Sequence, residues 1–272
     1  MRAQTDPRRS GPAPARSWSS PRARLGLSLL SLTLALSLWQ WSSALLNSAI
    51  IFPSASATLA ALYTQFSSGE IGKHIGITAY RVLAGFFLGS AAGALLGLLV
   101  GSFALVRKFL EPYTNFFRFI TPIAWVTPAV IWFGVGESSK LFLVVYSTLF
   151  IVLLNTAFGV THIHRDRLRM ARAFGAAPWQ LFCYVTLPAS VGFILTGMRI
   201  ALGNSFMTVV SAEVLSANSG LGYLIYSSRV YFRADVMFAC ILLLGSMGFA
   251  ADRLFAWIQH RLLWRYQAGR RP

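Results

Sequence analysis

Six apolar runs, each long enough to cross a bilayer, leave this chain few choices of fold. The first, Leu25 to Leu46, has 22 residues. At ~1.5 Å per residue a helix of that length reaches about 33 Å, enough for the hydrocarbon core. Further runs lie at about 78–102, 113–133, 141–160, 189–212 and 235–258. In lipid every backbone N–H and C=O must be satisfied within the protein, so open spans of this kind are helices. The expectation is an all-α integral membrane protein with six transmembrane helices. Composition agrees: 56% of the 272 residues are apolar and 12% are charged, against about 25% charged in soluble domains.

The formal charge of +16 would suit a nucleic-acid binder only if it formed one basic face, and here the arginines flank the apolar runs. Placing both termini in the cytoplasm puts 17 of the 24 Lys and Arg on inner segments and four on outer ones. That asymmetry is what the positive-inside rule requires. Arg81, Arg118 and Arg199 fall inside spans. Residues 1–24 are rich in Arg, Pro and Ser and are expected to form a disordered basic cytoplasmic tail, with 259–272 as a second cytoplasmic tail. Ala55-Ser56-Ala57 has the form of a signal cleavage site but lies past the apolar run, so 25–46 is expected to remain as an anchor.

Within the spans the polar and small residues are patterned. Gly85, Gly89, Gly93, Gly97 and Gly101 recur every fourth residue on one helix face. Such a row lets another helix approach closely, within one subunit or at a dimer seam. Pro112, Pro122 and Pro128 keep the third span from being straight. Broken backbone at membrane depth needs protein or water around it, which makes Thr121, Trp125 and Thr127 candidates for lining a pathway. Asn155 in the fourth span and Asn204, Thr208 and Ser211, which share a face of the fifth, are further candidates. Arg199 lies at a depth that is expensive for a charge, which fits snorkelling or a place in an anion path. Ser138 or Ser139 is the expected N-cap of the fourth helix, and the segment from Glu213 to Asp235 is expected outside.

Between Thr161 and Pro188 the apolar character stops. Arg165, Arg167, Arg169 and Arg172 mark this interruption as cytoplasmic. Its helical periodicity, broken near Gly175 and Pro178, predicts two short helices forming a compact knob. Arg169-Met170-Ala171, Gly175 and the ending Val185-Thr186-Leu187-Pro188 resemble the EAA loop of type I ABC importer permeases, with Arg169 and Met170 standing where Glu and Ala are usual. The resemblance extends over roughly residues 50 to 265, through Ile51-Phe52-Pro53-Ser54, Trp132-Phe133-Gly134-Val135-Gly136-Glu137-Ser138-Ser139-Lys140, Leu154-Asn155-Thr156 and Ser219-Gly220-Leu221-Gly222-Tyr223-Leu224-Ile225. These motifs are similar to the nitrate/sulfonate/taurine branch.

The resemblance implies a type-1 transmembrane core over 72–256 with a coupling loop at 161–188. It implies a permease subunit in the bacterial inner membrane, paired as a homodimer. Two ATPase subunits would hold ATP and Mg, this chain binding no cofactor itself, and an extracytoplasmic solute-binding protein would deliver a small anion. Arg169, Ala171, Gly175, Ala176, Trp179 and Pro188 would form the ATPase-coupling set.

Other chemistries find little support. No Gly-x-x-x-x-Gly-Lys-Ser/Thr loop occurs, and the chain is not expected to be an enzyme by itself. His162 and His164, two apart, would not share a helix face as metal ligands. Cys183 and Cys240 lie on separate elements and suggest no disulfide. A stand-alone channel or secondary transporter, the competing reading, would need intramembrane carboxylates or inverted repeats, and the sequence reading finds neither.

Overall fold

The computed structural model describes residues 21–46 and 50–267. Most of the expected N-terminal tail (1–20) and the last five residues lie outside the described residues, whereas 21–24 already belong to the first helix. The described chain is helical and has no strand. In order the helices are α1 (Pro21–Leu46), α2 (Ala55–Ser67), α3 (Glu70–Ser102), α4 (Ala104–Phe117), α5 (Val126–Phe133), α6 (Glu137–Thr161), α7 (Arg165–Ala173), α8 (Pro178–Leu181), α9 (Leu187–Ser216), α10 (Leu221–Val230) and α11 (Ala234–Gln267). Among the described residues five helical stretches are long and apolar enough to cross a membrane, and α4 with the α5 segment makes a sixth, broken one.

The centre is a three-helix contact of α3, α6 and α9. Val82 and Phe86 of α3, Val144 and Val152 of α6, and Ala201, Leu202 and Val209 of α9 are buried together there. The glycine row decides how close α3 and α6 come. A Cβ placed on Gly93 would stand 2.6 Å from the Leu149 carbonyl oxygen, and one on Gly97 would stand 2.6 Å from Leu153 O and from Thr156 Cβ. Gly85, Gly89 and Gly101 meet Val144, Thr148 and Val160 in the same way. All five therefore serve packing inside one chain. The far end of α3 is closed by Arg107, whose Nε and Nη2 donate to Val100 O at 3.1 Å and Gly101 O at 2.6 Å, as a cation suits a helix C-terminus.

Around this centre the other elements attach at one end. Ala61 of α2, Ile71 of α3, Leu221 of α10 and Val236 and Cys240 of α11 form a second buried cluster. Helix α3 starts at Glu70, eight residues before the expected 78, and its extra turns are anchored on this cluster by the fully buried Ile71. Helix α1 stays peripheral, tied by Trp39 Nε1, which donates to Pro53 O at 3.1 Å, and by the contact of Trp39, Phe52 and Phe238 rings.

Two expectations about helix ends are corrected. Helix α6 begins at Glu137 after Gly136, and Ser139, inside the first turn, donates back to Gly136 O at 2.9 Å instead of capping from outside. Glu213 is not in an outer loop but inside α9 and fully buried. The irregular third span is irregular at one point. Pro112 sits within α4 without ending it. The break falls at Arg118–Thr121, ahead of Pro122, and the two arms are bent by 87°. Thr121 is extended (φ −65°, ψ 142°), the conformation a following proline imposes.

Gly93→Ala is expected to lower stability by about 1–3 kcal/mol through overpacking against backbone. Gly245→Ala, where nothing lies within 4 Å of the added methyl, is expected to leave it unchanged. Thermal unfolding of the two purified variants in detergent checks the contrast.

Candidate functional site

Three places concentrate polar chemistry, and each is built by elements far apart in the chain. The first is a buried charge cluster at the end where α2, α10 and α11 gather. Arg81 of α3 is 1% exposed and Glu213 of α9 is 0% exposed. The guanidinium donates through Nη1 to Glu213 Oε1 at 2.8 Å and to Ser219 O at 2.7 Å. Its Nε and Nη2 form a two-pronged pair with Glu137 at 2.7 and 2.5 Å. Thr78 Oγ1 donates to the Glu213 carboxylate at 2.9 Å and accepts the Leu221 N–H at 2.9 Å. Gly222 N–H supplies another donor to Glu213 at 2.8 Å.

Gly220 has φ +108° and lies so close that a Cβ there would overlap the Glu213 carboxylate. The glycines of Ser219-Gly220-Leu221-Gly222 are thus explained by what they wrap. His74 completes the cover, its Nδ1 accepting the Gly220 N–H at 2.9 Å.

This cluster corrects the absence of intramembrane carboxylates. Glu213 in α9 and Asp252 in α11 lie in spanning helices, but each faces an arginine. Asp252 holds Arg199 through two bonds of 2.7 and 2.8 Å, joining α9 to α11. A carboxylate paired this way is part of the packing rather than a free proton or cation site.

The second place is the broken span. Tyr146 of α6 donates its hydroxyl to Phe117 O at 2.5 Å, a carbonyl at the helix end that also accepts the Ile120 N–H at 3.0 Å. Beside this bond is a concavity of about 440 Å³, whose walls include Arg118, Thr121, Tyr146, Ser147, Phe150 and Asn204. Of the pathway candidates, Thr121 and Asn204 meet there. Trp125 lies against the Tyr146 and Trp132 rings at tilted angles, and Thr127 is exposed on α5. Asn155 packs against Gly197 and donates to Ile151 O at 2.8 Å. Thr208 is buried, its one hydroxyl proton shared between Asn204 O at 3.0 Å and Ser147 Oγ at 3.2 Å. Ser211 bonds back to Met207 O. Arg118 had been noted only as a charge within a span; the break that gives it a setting is signalled by Pro122.

The third place is the knob. Helix α7 ends in two backbone bonds, Gly175 N–H to Arg172 O at 2.9 Å and Ala176 N–H to Ala171 O at 3.1 Å, with Gly175 at φ +78°. This is the Schellman closure, in which the left-handed residue is normally glycine. Gln180 Oε1 then accepts the Ala177 N–H at 2.9 Å, and Pro178 opens α8. Pro188 has no N–H to give, and the turn before it, Phe182–Thr186, widens to a π-helix. A wide turn makes room for the proline ring that would strike the carbonyl four residues back. Helices α8 and α9 thereby join into one rod, Pro178–Ser216. In the knob Phe174 is 91% exposed and Trp179 72% exposed, and Arg169 on α7 lies 3.8 Å from Asp166.

The chain is similar to known proteins in family pattern, in sequence and in fold. Residues 85–264 match the family model of the binding-protein-dependent transport system inner membrane component. The chain is 35% identical over 215 residues to the aliphatic sulfonates transport permease SsuC of Escherichia coli, covering 79% of this chain and 82% of that one. It is 30% identical over 253 residues to the taurine transport permease TauC of the same organism, covering 90% and 92%. Its fold is similar to an inward-facing structure of the MetNI methionine ABC transporter, with a TM-score of 0.62 at 18% identity, over 72% of this chain and 95% of that one.

Arg81→Met is expected to cost about 3–5 kcal/mol, because it leaves Glu213 buried without its countercharge. Adding Glu213→Gln to Arg81→Met is expected to recover part of the loss. The fraction of monodisperse protein extracted in mild detergent, followed against temperature, reads both.

Proposed function

The chain belongs to the family of binding-protein-dependent transport system inner membrane components, and from that premise we propose that its knob couples a separate ATPase to a pathway for a small anion. It is an ABC importer permease, a multi-pass protein of the bacterial inner membrane. In the proposed assembly two copies of the chain form the pathway and two ATPase subunits bind ATP and Mg beneath the knobs. A solute-binding protein docks at the opposite end, where α2 and α10 lie. Both termini are then cytoplasmic. This chain binds no cofactor, hydrolyses nothing and meets no nucleic acid.

The observation that carries the reading is the rod. A load applied to α8 reaches α9 without crossing a loop, and α9 is packed on α6, which is packed on α3. An ATPase that closes on ATP and shifts the knob would therefore move the packed helices together, as a rocking step about the membrane core. The exposed rings of Phe174 and Trp179 give a docking partner apolar anchors. Ala171, Gly175 and Ala176 set the shape of the knob, and Pro188 sets the wide turn where it meets the membrane. The relatives carry sulfonates and taurine by name, which supports a small organic or inorganic anion as cargo. A stand-alone channel or secondary transporter is disfavoured by the pairing of Glu213 and Asp252 with arginines.

Gly175→Val is expected to reduce ATP-driven uptake at least about tenfold, since a β-branched residue is a genuine outlier at φ > 0. Gly175→Asn, which tolerates that conformation, is expected to retain most of it. The check is co-purification of the ATPase with the tagged chain, together with ATP-driven uptake in proteoliposomes. A wild-type chain that recovers no ATPase and passes solute without ATP would defeat the proposal.

A further inference from the structure

We propose that the concavity at the broken span is a selectivity site for one small oxyanion, with the Arg118 guanidinium as its cation and Thr121 and Asn204 as neutral hydrogen-bonding partners. The proposal rests on the permease reading above and names the part of the pathway that reads the cargo.

Depth is the first argument. The α6 residues along the concavity, Tyr146 to Leu154, straddle the midpoint of a helix that runs from Glu137 to Thr161. At ~1.5 Å per residue they sit about 13–26 Å along a rod of about 37 Å. Asn204 is likewise near the middle of α9. A break in a span at mid-membrane is tolerated where it lines a cavity, and interrupted helices at that level are where transporters hold ions and solutes.

Charge is the second argument. Arg81, Arg118 and Arg199 fall well inside spans, and Arg253, nearer the far end of α11, lies over the Phe249 ring. Arg81 faces two carboxylates and Arg199 faces one. Among the described residues Arg118 forms no ion pair and no hydrogen bond, and its guanidinium lies over the Phe119 ring at 4.7 Å. A cation at this level without a countercharge is costly and marks a functional position. The Thr121 hydroxyl and the Asn204 amide are also without hydrogen-bond partners among the described residues, though neighbours such as Ser147, Thr208 and Tyr146 are bonded. Unused donors thus collect around one unused charge.

Shape is the third argument. The guanidinium fork matches two oxygens of a sulfonate, nitrate or carbonate in parallel bonds. Tyr146 and Phe150 add an apolar wall that suits a short alkyl chain behind the head group. Because the Tyr146 hydroxyl holds the Phe117 carbonyl, the segment carrying Arg118 is fixed to α6. Movement of α6 would carry the cation with it.

Saturation-transfer NMR with ethanesulfonate as the probe, on the full chain in lipid nanodiscs, tests the site without any partner. The wild type is expected to give a signal that nitrate competes away. Arg118→Gln is expected to weaken apparent affinity about tenfold or more, the size of a lost charge-assisted bond, and Arg118→Lys to weaken it less. Asn204→Asp keeps Arg118 and its packing but supplies it with a carboxylate, and is expected to weaken binding as much as Arg118→Gln. Absence of signal in the wild type, or unchanged affinity in Arg118→Gln or Asn204→Asp, overturns the proposal. ATPase recovery is read in parallel. A chain that binds ethanesulfonate through Arg118 yet recovers no ATPase refutes the permease coupling and keeps the site. A chain that recovers ATPase but binds ethanesulfonate independently of Arg118 refutes the site and keeps the coupling.

Discussion

Helices α3 and α6 touch backbone to backbone, and most of the remaining architecture is arranged around that contact. In a bilayer the lipid tails are as apolar as the side chains, so helices gain little by hiding leucine from solvent. What they gain is van der Waals packing, and that depends on closeness. The glycines at 85, 89, 93, 97 and 101 bring α6 carbonyls and β-branched side chains to the α3 surface. With that pair fixed, α9 has a groove to occupy, and Val82, Val152, Ala201 and Val209 fill it.

The same closeness makes the ionic cluster possible. Arg81 sits one turn before the first of the glycines, on the part of α3 that reaches Glu137 at the start of α6 and Glu213 near the end of α9. Three helices that pack along their lengths are thus tied at one end by a single guanidinium. The loop before α10 closes over it through Ser219, Leu221 and Gly222. A buried pair of this kind is weak evidence for stability, but it specifies which helix ends meet. Two of the sequence motifs, Trp132 to Lys140 and Ser219 to Ile225, each send part of their length to it, Glu137 from the first and Ser219 and Gly222 from the second.

Local patterns were legible in the sequence, and pairings were not. The four-residue glycine period announces a close helix contact because the period and the geometry are the same fact, although it does not say whether the partner is in the same chain. Gly175 announces a left-handed turn because few other residues accept one. Pro122 announces a break, while Pro112 shows that a proline by itself does not decide where. The partners of Arg81 and Arg199 were illegible for a simpler reason. Glu213 is 132 residues from Arg81 and Asp252 is 53 from Arg199, and no period or spacing links them. Reading Glu213 as an outer residue followed from its place at the edge of an apolar run, where burial under a folded loop leaves no mark on composition.

The closure of the knob is made by main-chain atoms. Gly175 and Ala176 donate to Arg172 and Ala171 through peptide groups, so the bend is independent of the side chains displayed on it. Form and surface chemistry are therefore separable at this position. Residues such as Arg169 and Met170 are exposed and can be exchanged without disturbing the turn. The surface that the knob displays can thus be altered, by reversing a charge here or enlarging a side chain there, while its bend stays as it is. Arg169 stands at such a position, its side chain 74% exposed and its charge free of the bonds that make the turn.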